Sequence, residues 1–289
     1  MAVTLYTDHL VDGAIGPDIE LVTGRAGSAT EDTALLFVHG LGHGAWCWER
    51  WQRLAAERGV DSWAMSFRGH GTSGGSVRGA RLSHYVQEVR RTVAHLAPRP
   101  VVLVGHSLGG LVVQRVIAEH VADQVRGAVL LSSIPSGPAF SSLVGVAARH
   151  PLQAMRFMAG RPMRLPERLL FADPGDHQVS MKRLVEESPR VQYQLLFHRR
   201  AAIPGTPVLV VGGTNDALVP LRTQTRTARR YAAEVRAISG AGHDLMLEPT
   251  GDHAFDVIFD WLDRLVGTKG ARRRTHEHLP LCMARSRRI

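Results

Sequence analysis

Apolar positions along the 289-residue chain gather into short solid runs, separated by longer stretches with helical spacing. Ala34-Leu35-Leu36-Phe37-Val38, Val101-Val102-Leu103-Val104, Gly127-Ala128-Val129-Leu130-Leu131 and Pro207-Val208-Leu209-Val210-Val211 are too short for helices and show no polar alternation. Such runs mark strands covered on both faces. Residues 62–67 and 234–238 read as two more strands. Residues 3–10 and 19–23 read as an antiparallel pair at a sheet edge, joined by the turn-rich Asp12-Gly13-Ala14-Ile15-Gly16-Pro17. Between the strands lie helical patterns. Residues 45–58 carry Trp46, Trp48, Trp51 and Leu54; residues 83–96 carry Val86, Val89, Val93 and Leu96 in phase, with Ser83 as the expected N-cap. Leu111, Val112, Val113, Val116 and Ile117 open another helix, and residues 253–266 close the alternation. Strand–helix alternation with short connections predicts the α/β class: a mostly parallel central sheet with helices on both faces.

The alternation breaks between residues 134 and 205. That segment holds eight prolines, from Pro135 to Pro204, with short helical runs between them. Its apolar residues, among them Phe140, Leu143, Met155, Phe157 and Met158, need a surface to pack on, and the open carboxyl edge of the sheet supplies one. The expected organisation is a core of residues 1–133 and 206–267, a helical cap insertion at 134–205, and a basic, disordered tail at 268–289. Met155, Phe157 and Met158 are expected to wall an apolar substrate cleft. The catalytic constellation, traceable on either side of the insertion, is expected to survive its removal.

Composition changes this picture little. With 44% hydrophobic and 21% charged residues the chain is an ordinary globular protein with material for a sizeable core. No run approaches the ~18 apolar residues of a membrane span. The opening Met-Ala-Val-Thr-Leu-Tyr-Thr-Asp-His lacks the basic and apolar regions of a signal peptide, and the two cysteines, Cys47 and Cys282, lie far apart, so a reduced, cytoplasmic protein is expected. The net charge of +9 is concentrated at one end: seven cations after Thr268 face Glu277 alone. The core shows no basic stripe, which argues against a nucleic-acid partner. Oligomeric state is left open.

Chemistry enters where the strand 101–104 runs into Gly105-His106-Ser107-Leu108-Gly109-Gly110, a G-x-S-x-G turn between strand and helix. A serine at the tip of so sharp a turn is held in a strained conformation, and a side chain two positions either way would collide with neighbouring elements. The hydroxyl is thereby lifted out of the sheet above a helix N-terminus that favours negative charge. A serine needs a base to take its proton, and the base needs an orienting acid. Both follow at strand ends: Asp216, after Val208-Leu209-Val210-Val211, and His243, between glycines after the final strand. Asp244 is the less suitable acid, because adjacent residues do not readily turn their side chains toward each other. Of the fifteen histidines, His39, His43, His70 and His106 sit without paired acidic ligands, so structural hydrogen bonding is expected of them and no metal site. The tryptophans read as core, and Cys47 as an inert buried thiol.

His39-Gly40, Arg68-Gly69-His70-Gly71-Thr72-Ser73, Gly105-His106-Ser107-Leu108-Gly109-Gly110, Asn215-Asp216-Ala217-Leu218-Val219-Pro220 and Gly240-Ala241-Gly242-His243 together resemble the capped serine hydrolases of the α/β-hydrolase superfamily over about residues 3–266. The run His43-Gly44-Ala45-Trp46-Cys47-Trp48 is similar to the plant methylesterase and hydroxynitrile lyase branch. The Arg-Gly-His-Gly loop is closer to bacterial esterases and monoacylglycerol lipases. The resemblance implies Ser107 as nucleophile, His243 as base, Asp216 as orienting acid, and the backbone N–H groups of Leu41 and Leu108 as oxyanion donors, with Gly42 an alternative to Leu41. It implies hydrolysis of a small to medium, largely apolar carboxylic ester through an acyl-enzyme, with no cofactor. Two other activities share this fold: a non-hydrolytic lyase or cyclase, and a ligand-binding receptor.

Overall fold

The structure is a computed structural model. It describes residues 3–11, 16–28, 32–119, 124–135, 137, 151–162, 165–173, 175, 177–197, 201–203 and 205–276, with side chains through residue 267. Eight strands form one sheet: β1 (Leu5–Leu10), β2 (Ile19–Gly24), β3 (Ala34–Val38), β4 (Ser62–Met65), β5 (Val101–His106), β6 (Val125–Leu131), β7 (Val208–Gly213) and β8 (Glu234–Ile238). Their spatial order is β1-β2-β4-β3-β5-β6-β7-β8. The pairs β1–β2 and β2–β4 are antiparallel; from β4 to β8 every pair is parallel.

The solid apolar runs are the central strands. β3, β5 and β7 are buried along their whole length. Because side chains alternate across a strand, Leu36, Val38 and Leu103 face one layer of helices, α2 (Leu82–His95) and α3 (Leu108–Ala118), while Leu35, Phe37, Val102 and Val104 face the other. That second layer contains α1 (Glu49–Glu57) and α9 (Gly251–His276), and Trp48 and Trp51 are fully buried there. Trp48 and Trp51 are core residues, as their spacing implies, whereas Trp46 is half-buried against that core, and Cys47 is a buried free thiol. The edge strands are polar instead. Tyr6, Thr7, Asp8 and His9 of β1 and Val235, Arg236 and Ala237 of β8 are exposed, which discourages further strand pairing.

Two element ends differ from the pattern. Helix α2 starts at Leu82, so Ser83 is inside the first turn and Arg81 holds the N-cap position. The Leu82 N–H donates to the Gln194 side-chain oxygen at 2.8 Å, so a distant segment satisfies an end that local sequence assigned to a serine. Helix α9 runs on to His276, through part of the region expected to be a disordered tail. Ala271 and Arg272 to Arg274 are strong helix formers. Residues 277–289, Cys282 among them, lie outside the described residues, as do Asp12 to Ile15, Phe140 and Leu143.

The insertion contributes α4 (Pro151–Met158), α5 (Glu167–Leu170), α6 (Gln178–Arg183) and α7 (Pro189–Phe197), and α8 (Leu221–Arg230) follows β7. Its described parts are fastened to loops at the carboxyl edge of the sheet. The Val185 N–H donates to the Gly42 carbonyl at 2.9 Å, and the Ser188 hydroxyl donates to the Ala80 carbonyl at 2.9 Å. Among the described residues no helix is long and apolar enough to cross a membrane.

Candidate active site

Strand β5 runs into Ser107, whose backbone is forced to φ 50°, ψ −112°, a region that a non-glycine residue enters at a cost of order 1–3 kcal/mol. Neighbouring elements hold it there: the Ser107 N–H donates to the Leu131 carbonyl at 3.0 Å, and the Ser107 carbonyl accepts the Ile134 N–H at 3.1 Å. The glycines of the turn are required by contact. A Cβ on Gly109 would stand 2.3 Å and 2.4 Å from the Val38 and His39 carbonyl oxygens. The collision expected from sequence is therefore present in the packing.

Asp216 and His243 come to this serine from the ends of β7 and β8. His243 Nε2 lies 2.9 Å from Ser107 Oγ, and His243 Nδ1 lies 2.9 Å and 3.1 Å from the two Asp216 carboxylate oxygens. Asp216 is aimed by its own loop, its Oδ1 accepting the N–H groups of Leu218 at 2.9 Å and Val219 at 2.8 Å. Nδ1 faces a carboxylate and so carries a proton, leaving Nε2 of the neutral ring to accept the Ser107 O–H. Burial works against charging His243, but the Asp216 carboxylate and its hydrogen bond, with Asp244 and Glu248 behind it, hold the imidazole above its ordinary value of 6.5.

The loop after β3 approaches the serine from the other side: a Cβ on Gly40 would lie 3.1 Å from Ser107 Cβ. The Gly40 carbonyl accepts the His39 Nδ1–H at 2.7 Å and the His43 N–H at 3.3 Å. Since the peptide is planar and trans, holding this carbonyl turns the Leu41 N–H the opposite way. His39 Nε2 accepts the Phe67 N–H at 3.0 Å, and burial together with neighbouring His70 holds this ring well below its ordinary range, hence neutral. Gly42 has φ +71°, and a Cβ there would meet the Val185 carbonyl oxygen at 2.6 Å, so the close seat of the insertion requires glycine. The Leu108 N–H, at the first position of α3, has no intrahelical acceptor.

The remaining histidines tie loops together, as expected of them, but not without acidic partners: His43 meets Asp244 and His70 meets Glu187, pairings that local sequence did not show. His106 Nε2–H donates to the His243 carbonyl at 3.0 Å, and burial, with His243 nearby, pushes this imidazole down to about 3. His70 lies with Nε2 3.4 Å from Glu187, whose other oxygen accepts the Tyr85 O–H at 2.6 Å. Asp244 does not orient His243; its carboxylate turns to His43 at 3.0 Å. Among the described residues, His106, His243 and Asp244 bring possible metal-ligand atoms within 4.8 Å of one another. The two histidine Nε2 atoms are already engaged by the His243 carbonyl and Ser107, which leaves no such set free. Glu248, which sequence reading passed over, is a buried clamp. It accepts the Gly242 N–H at 2.8 Å from the histidine loop and the Ala172 N–H at 2.7 Å from the insertion.

A cavity of about 310 Å³ opens beside the Leu41–Gly42 turn, walled by Leu165, Leu170, Met181, Leu184 and Val185, with Glu187 and Gln192 also at its wall. Met155, Phe157 and Met158, the residues expected to wall a substrate cleft, do not line this cavity. Met155 and Met158 are 62% and 74% exposed on the outer face of α4, and the buried Phe157 packs on Tyr193 with ring centroids 4.6 Å apart. Helical spacing gave three adjacent candidates on one short helix, but not which side of it looks down.

A mostly parallel sheet with a Ser–His–Asp line at its carboxyl edge defines the α/β-hydrolase fold. Residues 35–258 match the model described as the alpha/beta hydrolase family, and the chain belongs to that family. A monoacylglycerol lipase of Mycolicibacterium smegmatis is 28% identical over 73% of this chain and 80% of its own length. A non-heme haloperoxidase of Rhodococcus erythropolis is 38% identical over 35% of this chain, a match spanning little more than a third (37%) of that relative. Among solved structures, a soluble variant of the Saccharomyces cerevisiae monoglyceride lipase superimposes with TM-score 0.73 at 15% identity, covering 92% of this chain and 96% of the other. A thermophilic esterase from Thermogutta terrifontis superimposes with TM-score 0.67 at 20% identity, covering 90% and 99%.

Proposed function

We propose that this protein is a serine hydrolase that cleaves a carboxylic ester through an acyl-enzyme. The observation that carries the reading is the continuous line from Ser107 Oγ through His243 to Asp216, with contacts of 2.9 Å on each side of the imidazole. In the first half-reaction Ser107 Oγ attacks the ester carbonyl carbon while His243 Nε2 takes the hydroxyl proton. The resulting oxyanion accepts from the Leu41 and Leu108 N–H groups, a contribution of roughly 3–4 kcal/mol per donor in serine hydrolases. The tetrahedral centre collapses, the C–O bond to the alcohol breaks, and His243 passes its proton to the departing oxygen. Water then gives a proton to His243 and attacks the acyl carbon, releasing the acid and restoring Ser107. Asp216 remains ionised throughout and stabilises the transient imidazolium.

The cavity walls make a small to medium, largely apolar acyl or alcohol group the fitting substrate part, and the esterase and lipase names of relatives support an ester. Labelling with a fluorophosphonate, combined with a panel of p-nitrophenyl esters, tests the reading. Labelling of Ser107 with sustained ester turnover is the expected result. Labelling without turnover would favour a lyase or cyclase, and neither would favour a receptor.

A further inference from the structure

A second histidine–aspartate pair lies beneath the first. Asp244 follows His243 in the chain, so its side chain leaves the backbone in another direction and meets His43, Oδ2 to Nε2, at 3.0 Å. Both side chains are almost completely buried, 3% and 0% exposed. The other ring nitrogen, His43 Nδ1, lies 2.8 Å from the Leu41 carbonyl oxygen. A carbonyl oxygen accepts and cannot donate. Burial opposes ionisation of Asp244, but His43 and its hydrogen bond, with His106 and His243 adding, hold the carboxyl below its ordinary value of 3.8. Facing the Leu41 carbonyl, the His43 ring grips the turn only with a proton on Nδ1. Trp46 covers the ring at 5.5 Å between centroids, and His106 Nε2 faces the other Asp244 oxygen at 3.5 Å.

The consequence lies in the turn. Three successive carbonyls are each held by a separate donor: Gly40 by His39 Nδ1–H at 2.7 Å, Leu41 by His43 Nδ1–H at 2.8 Å, and Gly42 by the Val185 N–H at 2.9 Å. A trans peptide points its N–H opposite its carbonyl, so the first bond orients the Leu41 N–H, a donor in the reading above, and the His43 bond orients the Gly42 N–H, its alternative in the same turn. As stability alone, a buried polar pair is often no better than an apolar pair of the same volume. What it adds is direction: one end grips the turn, the other grips the residue after His243.

We propose that His43 and Asp244 are positioning residues, a buried hydrogen-bonded pair that fastens the oxyanion turn to the histidine loop and sets the distance between the oxyanion site and His243. This rests on the esterase reading above, because a turn that binds no oxyanion has nothing to position. The pair acts on the transition state rather than on substrate binding. Its loss lowers kcat and leaves KM nearly unchanged, by about 10–100-fold, short of the ~10²–10³ for deleting an oxyanion donor outright.

Three measurements test it. Two-bond ¹⁵N–¹H correlation on the wild-type protein at pH 7 is expected to show a proton on His43 Nδ1, the nitrogen facing the Leu41 carbonyl; a ring protonated on Nε2 alone overturns the proposal. Asp244→Ala and His43→Gln, with rates expressed per fluorophosphonate-titrated site, are expected to lose about 10–100-fold in kcat and a parallel factor in affinity for a boronic-acid transition-state analogue. Asp244→Asn, whose amide N–H can donate to a neutral imidazole and leave Nδ1–H on Leu41, is expected to recover most of the rate. Should Asp244→Ala fail to fold, His43→Gln and Asp244→Asn carry the comparison. Lower melting temperatures with unchanged kcat and analogue affinity would make the pair merely structural and overturn the proposal, with the esterase reading intact. Ester turnover that survives Ser107→Ala would overturn both.

Discussion

The carbonyl oxygen of Leu170 lies 2.9 Å from the backbone nitrogen of His243 and accepts its N–H. The same oxygen accepts the Asp244 N–H at 2.9 Å. The loop that carries the imidazole therefore hangs on the insertion as well as on the sheet, and the insertion is part of what holds the site. Replacing residues 134–205 with a short linker is expected to abolish turnover of acetate esters as well as bulky ones. This reverses the expectation from sequence that the constellation would outlast the insertion. Wild-type rates on p-nitrophenyl acetate after excision would disprove it.

Glu248 offers a finer test of the same connection. Glu248→Ala strands the buried N–H groups of Gly242 and Ala172, each at a cost of about 1–3 kcal/mol. The expected result is a melting temperature lower by several degrees and a reduced kcat, with Glu248→Gln milder because one acceptor remains. Calorimetry and initial rates on the two variants decide it; equal behaviour would mean that the carboxylate is not the clamp.

Ser107→Gly is expected to stop ester turnover, with a loss of about 10⁴–10⁶ in kcat. It should also raise the melting temperature, because glycine adopts φ 50° without the strain that serine carries there. Ser107→Ala should lose the activity without that gain in stability. A glycine variant less stable than the alanine variant would show that the turn is not strained.

Asp216→Asn is expected to cost about 10⁴ in kcat by stabilising the wrong imidazole tautomer. Asp244→Asn should cost far less, since Asp244 does not touch His243 Nδ1.

The pH dependence follows from the imidazole. His243 accepts a proton only when neutral, and Asp216 holds it above 6.5, so the acid limb of kcat/KM is expected above pH 6.5. The same raised value makes the charged pair stabilise the fold fully below the unfolded value near 6.5. That contribution fades as pH rises through the folded value. An acid limb below 6.5 would contradict the assignment of the base.

Substrate size should be read by the cavity wall. Leu184→Trp is expected to depress kcat/KM for bulky esters and spare acetate esters, whereas Met158→Trp, on a side chain 74% exposed, should change neither. An equal fall for both ester classes in Leu184→Trp would mean that the residue only packs the insertion.

Much of this was legible along the chain. β3, β5 and β7 are recognisable as solid apolar runs because a strand in the middle of a parallel sheet is covered on both sides, a demand each run meets within five or six residues. Ser107, Asp216 and His243 could be chosen because each stands at a strand end in a turn whose own glycines or loop amides shape it. Other contacts join positions that no local pattern relates. His43 and Asp244 are 201 residues apart, and Leu82 and its acceptor Gln194 are 112 apart. Met155 and Met158 were as apolar as Leu184 and Met181, yet the first pair faces outward and Met181 and Leu184 wall the cavity. The physical reason is one of range. Backbone strain and strand burial are set by near neighbours and leave a mark on consecutive residues. The seat of the insertion is set by carbonyls such as Leu170 and Gly42 finding distant partners, and a backbone carbonyl looks the same in every residue.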